Sequence, residues 1–306
     1  MIKDGGLVAF PTETVYGLGA DGLNPIAVAK IFEVKRRPTF NPLILHIAKK
    51  EQLKKFAVYD DDRIDRLIKK FWPGPLTLVL PKTDLVPDIV TSGNATVAVR
   101  MPNHKVALKL IERSGTPIAA PSANKFGHLS PTEAQHVVKS LGAKVDVILD
   151  GGKCKVGVES TIIELCNNNI YLLRPGGLSK EEIEKEIGRI KTGKIIQSKP
   201  NAPGQLPFHY APVIPLDFLN EKNLKKYRGK KVGVLFFNNI KSNSDFSFTK
   251  ILSTSGDIKE AAANLFRYLH DFEKEKIDVI LVEPVKEEGL GLAIMDRLKK
   301  ASAKNI

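Results

Sequence analysis

The sequence predicts a two-part α/β protein, and three observations predict it. Over the first 190 residues, short apolar runs alternate with stretches of helical periodicity. From Lys191 to Pro215 the chain carries five prolines and little periodicity. Beyond that, strand and helix patterns alternate again in a smaller unit. A chain of 306 residues is long for one core and comfortable for two. The expected division is therefore a unit at 1–190, a Pro-rich linker at 191–215 and a small Rossmann-like α/β unit at 216–306.

"LVAF" (7–10) predicts a strand. "NPIAVAKIFEVK" (24–35) predicts a helix with Asn24 as N-cap and Pro25 at its first position. "LILHI" (43–47) and "LTLVLP" (76–81) predict strands, with two amphipathic helices between them. "TVAVRMP" (96–102) and "PIAAP" (117–121) predict two more. In "SPTEAQHVVKSL" (130–141), Ser130 is the expected cap and Glu133 the partner in a capping box. "VDVILD" (145–150), "STIIEL" (160–165) and "IYLLR" (170–174) predict strands, and "SKEEIEKEIG" (179–188) a second boxed helix. This mixture lacks strict βαβ repetition, so an α+β or mixed-sheet α/β unit is expected, its strand order unread. In the last third, strands at 231–237 and 278–284 alternate with helices near 257–272 and 291–301.

No apolar run reaches the roughly 18 residues that a membrane helix needs, so no membrane span is expected. Two cysteines, Cys154 and Cys166, are too few for a zinc site and suit a reducing cytoplasm. The net charge of +13 favours anionic partners such as nucleotides, nucleic acid or acidic substrates. "GRIKTGKI" (188–195) has P-loop spacing but ends on Ile195, where a magnesium-binding hydroxyl is required. "GLGLAI" (289–294) places Ile294 where a dinucleotide fingerprint needs Gly or Ala.

Three segments resist a purely structural reading. "FPTETVYGLG" (10–19) sets hydroxyls and glycines at a strand end, where a ligand can approach backbone. "KRRPTFNPLILHI" (35–47) gathers three cations before a turn. Lys35 and Arg37 also suit the negative end of the preceding helix. His46, inside an apolar strand, reads by itself as a satisfied core histidine. "APSANKFGHLSPTEA" (120–134) groups Ser122, Asn124 and Ser130 after a strand, a plausible phosphate or sugar loop. Arg100 lies on a strand of small apolar residues, where an unpaired buried cation is costly.

These segments, with "WPGPLTLVLP" and "GVESTII", resemble in content and order the YrdC-like threonylcarbamoyl-AMP synthases. The K-x-R and S-x-N elements of that family correspond to Lys35/Arg37 and Ser122/Asn124. "PGQLPFHYAP" and "GLGLAIMDRLKKAS" resemble its longer, two-domain Sua-type branch. The resemblance implies a twisted mixed sheet with helices around a basic concave cavity. It implies synthesis of threonylcarbamoyl-adenylate and pyrophosphate from L-threonine, bicarbonate and ATP, a nucleotidyl transfer. The product serves N6-threonylcarbamoyladenosine formation at position 37 of tRNAs reading codons that begin with A. Lys35, Arg37, Ser122 and Asn124 are then the expected catalytic set, with Lys35 and Arg37 at the triphosphate. Arg37, Asn41, Thr96, Ser122, Ser130, Arg174 and Tyr210 are expected around ATP. Thr14, His46, Arg100, the Ala120 backbone and Ser160 are expected around threonine. Mg²⁺ is expected to arrive with ATP, with no protein-held metal and no organic cofactor. A cytoplasmic monomer is expected, with tRNA and a threonylcarbamoyl-transferase as possible partners.

Two competing readings are a non-catalytic double-stranded RNA or tRNA-binding module, which the positive charge allows, and carbamoyl transfer as in hydrogenase maturation proteins. The latter carry zinc-finger cysteines that this chain lacks. The family also has a helix before its first strand, whereas Gly5 here stands four residues from the start. Either the start is trimmed or that helix is absent, and the missing element is expected to leave part of an apolar face uncovered.

Overall fold

A computed structural model describes residues 1–166, 168–192, 200–207, 209–240 and 246–303. Among them, ten strands form one mixed sheet and four form a second, wholly parallel sheet. The large sheet runs in the order Lys191–Thr192, Asn169–Arg174, Thr161–Cys166, Leu76–Pro81, Thr96–Arg100, Ile44–His46, Ile118–Ala120, Gly17–Asp21, Val8–Phe10 and Val147–Ile148. Lys191 and Thr192, expected in the linker, extend this sheet.

Strand Ile44–His46 lies between a parallel and an antiparallel neighbour. Register sets Ile44 beside Ala98 and Ala120, and His46 beside Arg100 and Ile118. Side chains alternate across a sheet, so these share one face while Leu45, Val99 and Ala119 enter the main core on the other. A one-residue slip would exchange the fully buried Leu45 for His46. It would forfeit about 2 kcal/mol of apolar burial and place an imidazole in the core. The pattern of small and branched residues therefore fixes which groups face the concave side.

The helix at Pro25–Lys35 starts as expected, with the Asn24 side chain accepting from the Ile26 and Ala27 amides. Its end explains the run of three cations. Arg36 adopts a left-handed conformation (φ 53°, ψ 43°). Its amide donates to Glu33 O, and the Arg37 amide reaches back to Phe32 O. This closing motif normally uses glycine. The turn leaves Arg36 exposed and buries Lys35 and Arg37 on either side of it.

Several expectations need correction. The helix expected from Ser130 begins only at Ala134. Ser130 is not its cap, because its hydroxyl is bonded to the Glu159 carboxylate. Gly17–Asp21, Leu216–Phe218 and Phe248–Ile251 are strands that the pattern did not reveal. At the start of the chain, Ile2 is buried in a cluster with Val8, Phe10, Ile111 and Ile118, so that face is covered locally. Cys154 and Cys166 are free thiols. No helix among the described residues is long and apolar enough to cross a membrane.

The second sheet, ordered Leu216–Phe218, Val279–Val282, Val232–Phe236, Phe248–Ile251, packs with the helices Ile258–Phe272 and Gly291–Ser302. Its core does not stop at its own boundary. Val15, Leu129, Val158 and Tyr210 join Leu265, Phe266 and Ile294 in one cluster. At this junction Gly157 has φ 75°, and a Cβ there would lie 2.4 Å from Ala263 Cα. Only glycine meets both demands.

The closing motif gives a stability prediction. Arg36→Gly should be neutral or stabilising by up to about 1 kcal/mol, because left-handed strain is relieved. Arg36→Val should cost about 1 kcal/mol or more, since a branched residue resists this conformation. Urea unfolding of both variants checks this, and a clearly destabilised glycine variant would contradict it.

Candidate active site

Pro203, Gly204, His209 and Tyr210 of the Pro-rich segment cover the face of the large sheet that carries His46 and Arg100. Between them lies a narrow cavity of about 50 Å³. Its walls carry Thr14, Arg37, His46, Arg100, Ala120, Ser122, Ser160, Arg174 and Tyr210. Nine expected site residues, from segments far apart in sequence, therefore meet in one place. Lys35, Asn41, Thr96, Asn124 and Ser130 do not line it.

Each wall residue has a local cause. Thr12, not singled out from the sequence, organises the first turn. Its hydroxyl donates to Val15 O (2.7 Å), and its oxygen accepts from the Thr14 and Val15 amides. That one hydrogen being committed, the 2.8 Å contact with Thr14 must be donated by Thr14. Thr14 therefore keeps its acceptor capacity for the cavity. His46 Nδ1 lies 3.3 Å from Ile118 O and must donate to it. Burial, with Arg100 adding to it, pushes the imidazole pKa down to about 3, so His46 is neutral. Ser160 lies 2.7 Å from Thr77 Oγ1, and its carbonyl accepts from Arg174 Nη2 (2.8 Å) and Nε (3.2 Å).

The charges divide into two kinds. Arg100 is paired with Glu13 at 2.8 Å, and both are buried. Glu159, on the cavity wall, is paired with Arg297 at 2.9 Å. Arg37 and Arg174 have no carboxylate within ion-pair distance among the described residues. Arg37 donates to Asn41 O (3.0 Å) and Pro42 O (2.8 Å), and Arg174 to Ser160 O and Pro203 O. Burial lowers the pKa of both, that of Arg37 to about 9, and the neighbouring Arg174 adds to the shift at Arg37. Guanidinium groups nonetheless stay charged at neutral pH. A cavity lined by two arginines without carboxylate partners favours an anionic ligand.

Lys35, expected at the triphosphate, stands behind the wall. Its Nζ donates to Ser122 O (2.6 Å) and to Asn124 O. Burial drives its pKa well below the ordinary lysine value. It braces the loop that presents Ser122. Asn124 likewise ties the loop, donating to Lys125 O and His128 O. Among the described residues, both polar atoms of the buried Asn41 side chain, and Thr96 Oγ1, have no hydrogen-bond partner.

The linker contributes Pro203, Gly204, His209 and Tyr210 to the walls. It is held at several points. Asn94 donates to Pro200 O, Asn201 to Glu164, Lys300 to Gly204 O, and the Ala211 amide to Gly127 O. Gly204 (φ 87°) is pressed so closely that a Cβ would lie 2.8 Å from Arg174 Cδ. Besides Thr12, sequence reasoning missed Glu159, Gly204, His209 and Arg297. Glu159 lies within the noted "GVESTII" without being singled out, whereas Arg297 reads as ordinary helix surface.

A two-unit α/β fold with arginines lining an internal cavity defines a protein with a place for an anionic group. Comparison with known proteins names the family. The Sua5_yciO_yrdC model, described as "Telomere recombination", matches residues 1–176, and the threonylcarbamoyl-AMP synthase C-terminal domain model matches 178–303. The chain belongs to the Sua5/YciO/YrdC family. It is 48% identical to threonylcarbamoyl-AMP synthase of Pyrococcus abyssi, over 100% of this chain and 93% of the relative. It is 43% identical to the Bacillus subtilis threonylcarbamoyl-AMP synthase, over 99% and 91%. The crystal structure of P. abyssi Sua5 complexed with L-threonine superposes with a TM-score of 0.90 at 48% identity, covering 99% of this chain and 92% of that one.

The buried histidines give a pH prediction. Burial lowers the pKa of His46 and His136 to about 3 and that of His209 well below its usual value. They stay neutral in the fold, while the unfolded chain takes up protons below about pH 6.5. Stability is therefore full above that pH and lost as pH falls, by up to about 1.4 kcal/mol per pH unit for each histidine. Denaturant unfolding at pH 7 and pH 5 checks this, and equal stability at both would contradict it.

Proposed function

We propose that this chain forms L-threonylcarbamoyl-adenylate and pyrophosphate from L-threonine, bicarbonate and ATP, as its full-length relatives are named for. The observation that carries the reading is the division of buried cations within one cavity. Arg37 and Arg174 are unbalanced and suit a triphosphate, whereas Arg100, already balanced by Glu13, suits one carboxylate through its two-pronged donor geometry. Thr14, His46, Ser160 and the Ala120 backbone then surround threonine, with Ser122 and Tyr210 on the nucleotide side. Asn41, Thr96 and Ser130 support that side from behind.

In this reading, catalysis is by positioning. The threonine amine attacks bicarbonate, and water leaves to give a carbamate. A carbamate oxygen then attacks the α-phosphorus as the bond to the β-phosphate breaks and pyrophosphate departs. Nucleotidyl transfer is thus the reaction class. Mg²⁺ travels with the ATP phosphates and screens their charge. The lining carboxylate, Glu159, is already engaged by Ser130 and Arg297. The roof formed by Pro203, Gly204, His209 and Tyr210 excludes water, which protects a hydrolysable adenylate. The product passes to a threonylcarbamoyl-transferase in the cytoplasm for tRNA modification.

Pyrophosphate release that requires both threonine and bicarbonate tests the reading. Its absence under several metal conditions, with salt-sensitive RNA binding instead, would favour a binding module. Arg100→Ala should weaken threonine binding about tenfold or more and ATP binding little, while Arg37→Ala should do the reverse. Calorimetric titration of each ligand distinguishes them, and unchanged threonine affinity in Arg100→Ala would count against the assignment. Tyr210→Ala should weaken nucleotide binding or raise adenylate hydrolysis, read as product yield per ATP consumed. Wild-type yield together with wild-type affinity would remove Tyr210 from the roof.

A further inference from the structure

The C-terminal unit backs the cavity walls at several points, through Lys300 on Gly204 O, Phe266 beside Tyr210 and, at the lining carboxylate Glu159, Arg297. Arg297, on the helix Gly291–Ser302, is 1% exposed. Its Nε donates to Glu159 Oε2 at 2.9 Å, and its Nη1 to Pro175 O at 2.6 Å and Asp296 Oδ2 at 2.8 Å. Its guanidinium carbon lies 5.0 Å from the centre of the Tyr210 ring. Apart from that with Asp296, each contact touches a part of the nucleotide half. Glu159 lines the cavity and holds Ser130, Pro175 follows Arg174, and Tyr210 belongs to the roof.

We propose that Arg297 is a positioning residue of the nucleotide half of the site, acting by neutralising and orienting Glu159 and by backing Tyr210. The proposal rests on the ATP reading given above and assigns the C-terminal unit a task within it. The chemistry is direct. Glu159 is a buried carboxylate on the wall of a cavity meant for phosphates. Left alone it would repel them and cancel part of the Arg37 and Arg174 field. Paired with Arg297, it becomes a fixed acceptor for Ser130 while the two lining arginines keep their charge for the ligand. The groups facing Glu159 are Arg297, Arg174, Ser130 and Tyr210, and those facing Arg297 also include Asp296 and Tyr210. Burial favours the protonated acid at Glu159, and the arginines with Ser130 overcome it, holding the carboxyl below its usual pKa. Without Arg297 the largest opposing influence is gone, and Glu159 should titrate upward.

The test is ATP and threonine affinity of wild type, R297M and R297M/E159Q from pH 6 to pH 8.5. R297M should bind ATP at least tenfold more weakly at pH 8, with a smaller loss at pH 6, where Glu159 takes a proton. Its threonine affinity should stay within about twofold, since Arg100 and Glu13 are untouched; this also reports on folding. E159Q in the R297M background should recover part of the ATP affinity and remove its pH dependence. ATP affinity within twofold of wild type, equal losses for both ligands, or a loss that E159Q does not relieve would overturn the proposal. Should R297M fail to fold, Arg297→Lys decides. It keeps the charge but cannot bridge Glu159 and Pro175 O, so ATP binding should weaken three- to tenfold with threonine binding intact. Unchanged ATP binding, or equal weakening of both, would overturn it. Failure of the wild-type protein to release pyrophosphate would instead sink the underlying reading.

Discussion

Removing a charge from water costs several kcal/mol unless a counter-charge and hydrogen bonds replace the lost solvation. This fold accepts that cost with two cations in one cavity. Among the described residues, Arg37 and Arg174 are buried with carbonyl oxygens and a serine hydroxyl as their hydrogen-bond partners. Arg100 and Arg297, equally buried, each have a carboxylate. The contrast matters more than the total charge of +13, most of which is distributed elsewhere. Paired arginines are rigid fixtures. Unpaired ones store a positive potential that a polyphosphate can discharge, which is how electrostatic preorganisation assists phosphoryl chemistry.

The rest of the architecture keeps those charges where they are. Strand register puts His46 and Arg100 side by side and facing out of the main core. The left-handed turn at Arg36 sends Lys35 and Arg37 in different directions, one to brace the Ser122 loop and one to the cavity. The roof needs a glycine at 204 to approach Arg174, and the C-terminal unit closes the back through Arg297. Much of this burden falls on backbone. Carbonyls of Ser122, Asn124, Asn41, Pro42, Ser160, Pro175 and Pro203 all receive cationic donors.

The helix at Pro25–Lys35 and the strand at Leu76–Pro81 were legible because periodicity and capping are local signals. The strand Gly17–Asp21 was not, since its glycines carry no apolar pattern and its pairing depends on partners such as Ala119. Ser130 misled for a related reason. A serine followed by Pro and Glu satisfies a capping rule locally, but a distant carboxylate claims its hydroxyl. Nine cavity residues could be gathered from the sequence because several motifs occurred together in order. Lys35 could be associated with the site, but no local rule says that it faces the loop behind the wall. Arg297 was invisible, because a single basic residue on an amphipathic helix looks like solvated surface until its burial is seen.

The central claim is that Arg37 is buried for a ligand and not for the fold. The most direct measurement is chemical unfolding of wild type and Arg37→Gln, with and without ATP at about one hundred times the wild-type dissociation constant. The account predicts that ATP stabilises wild type by about 2.7 kcal/mol. It also predicts that Arg37→Gln loses most of that increment while its ligand-free stability falls by less. A variant that keeps the ATP increment but is strongly destabilised without ligand would make Arg37 a structural residue and contradict the account.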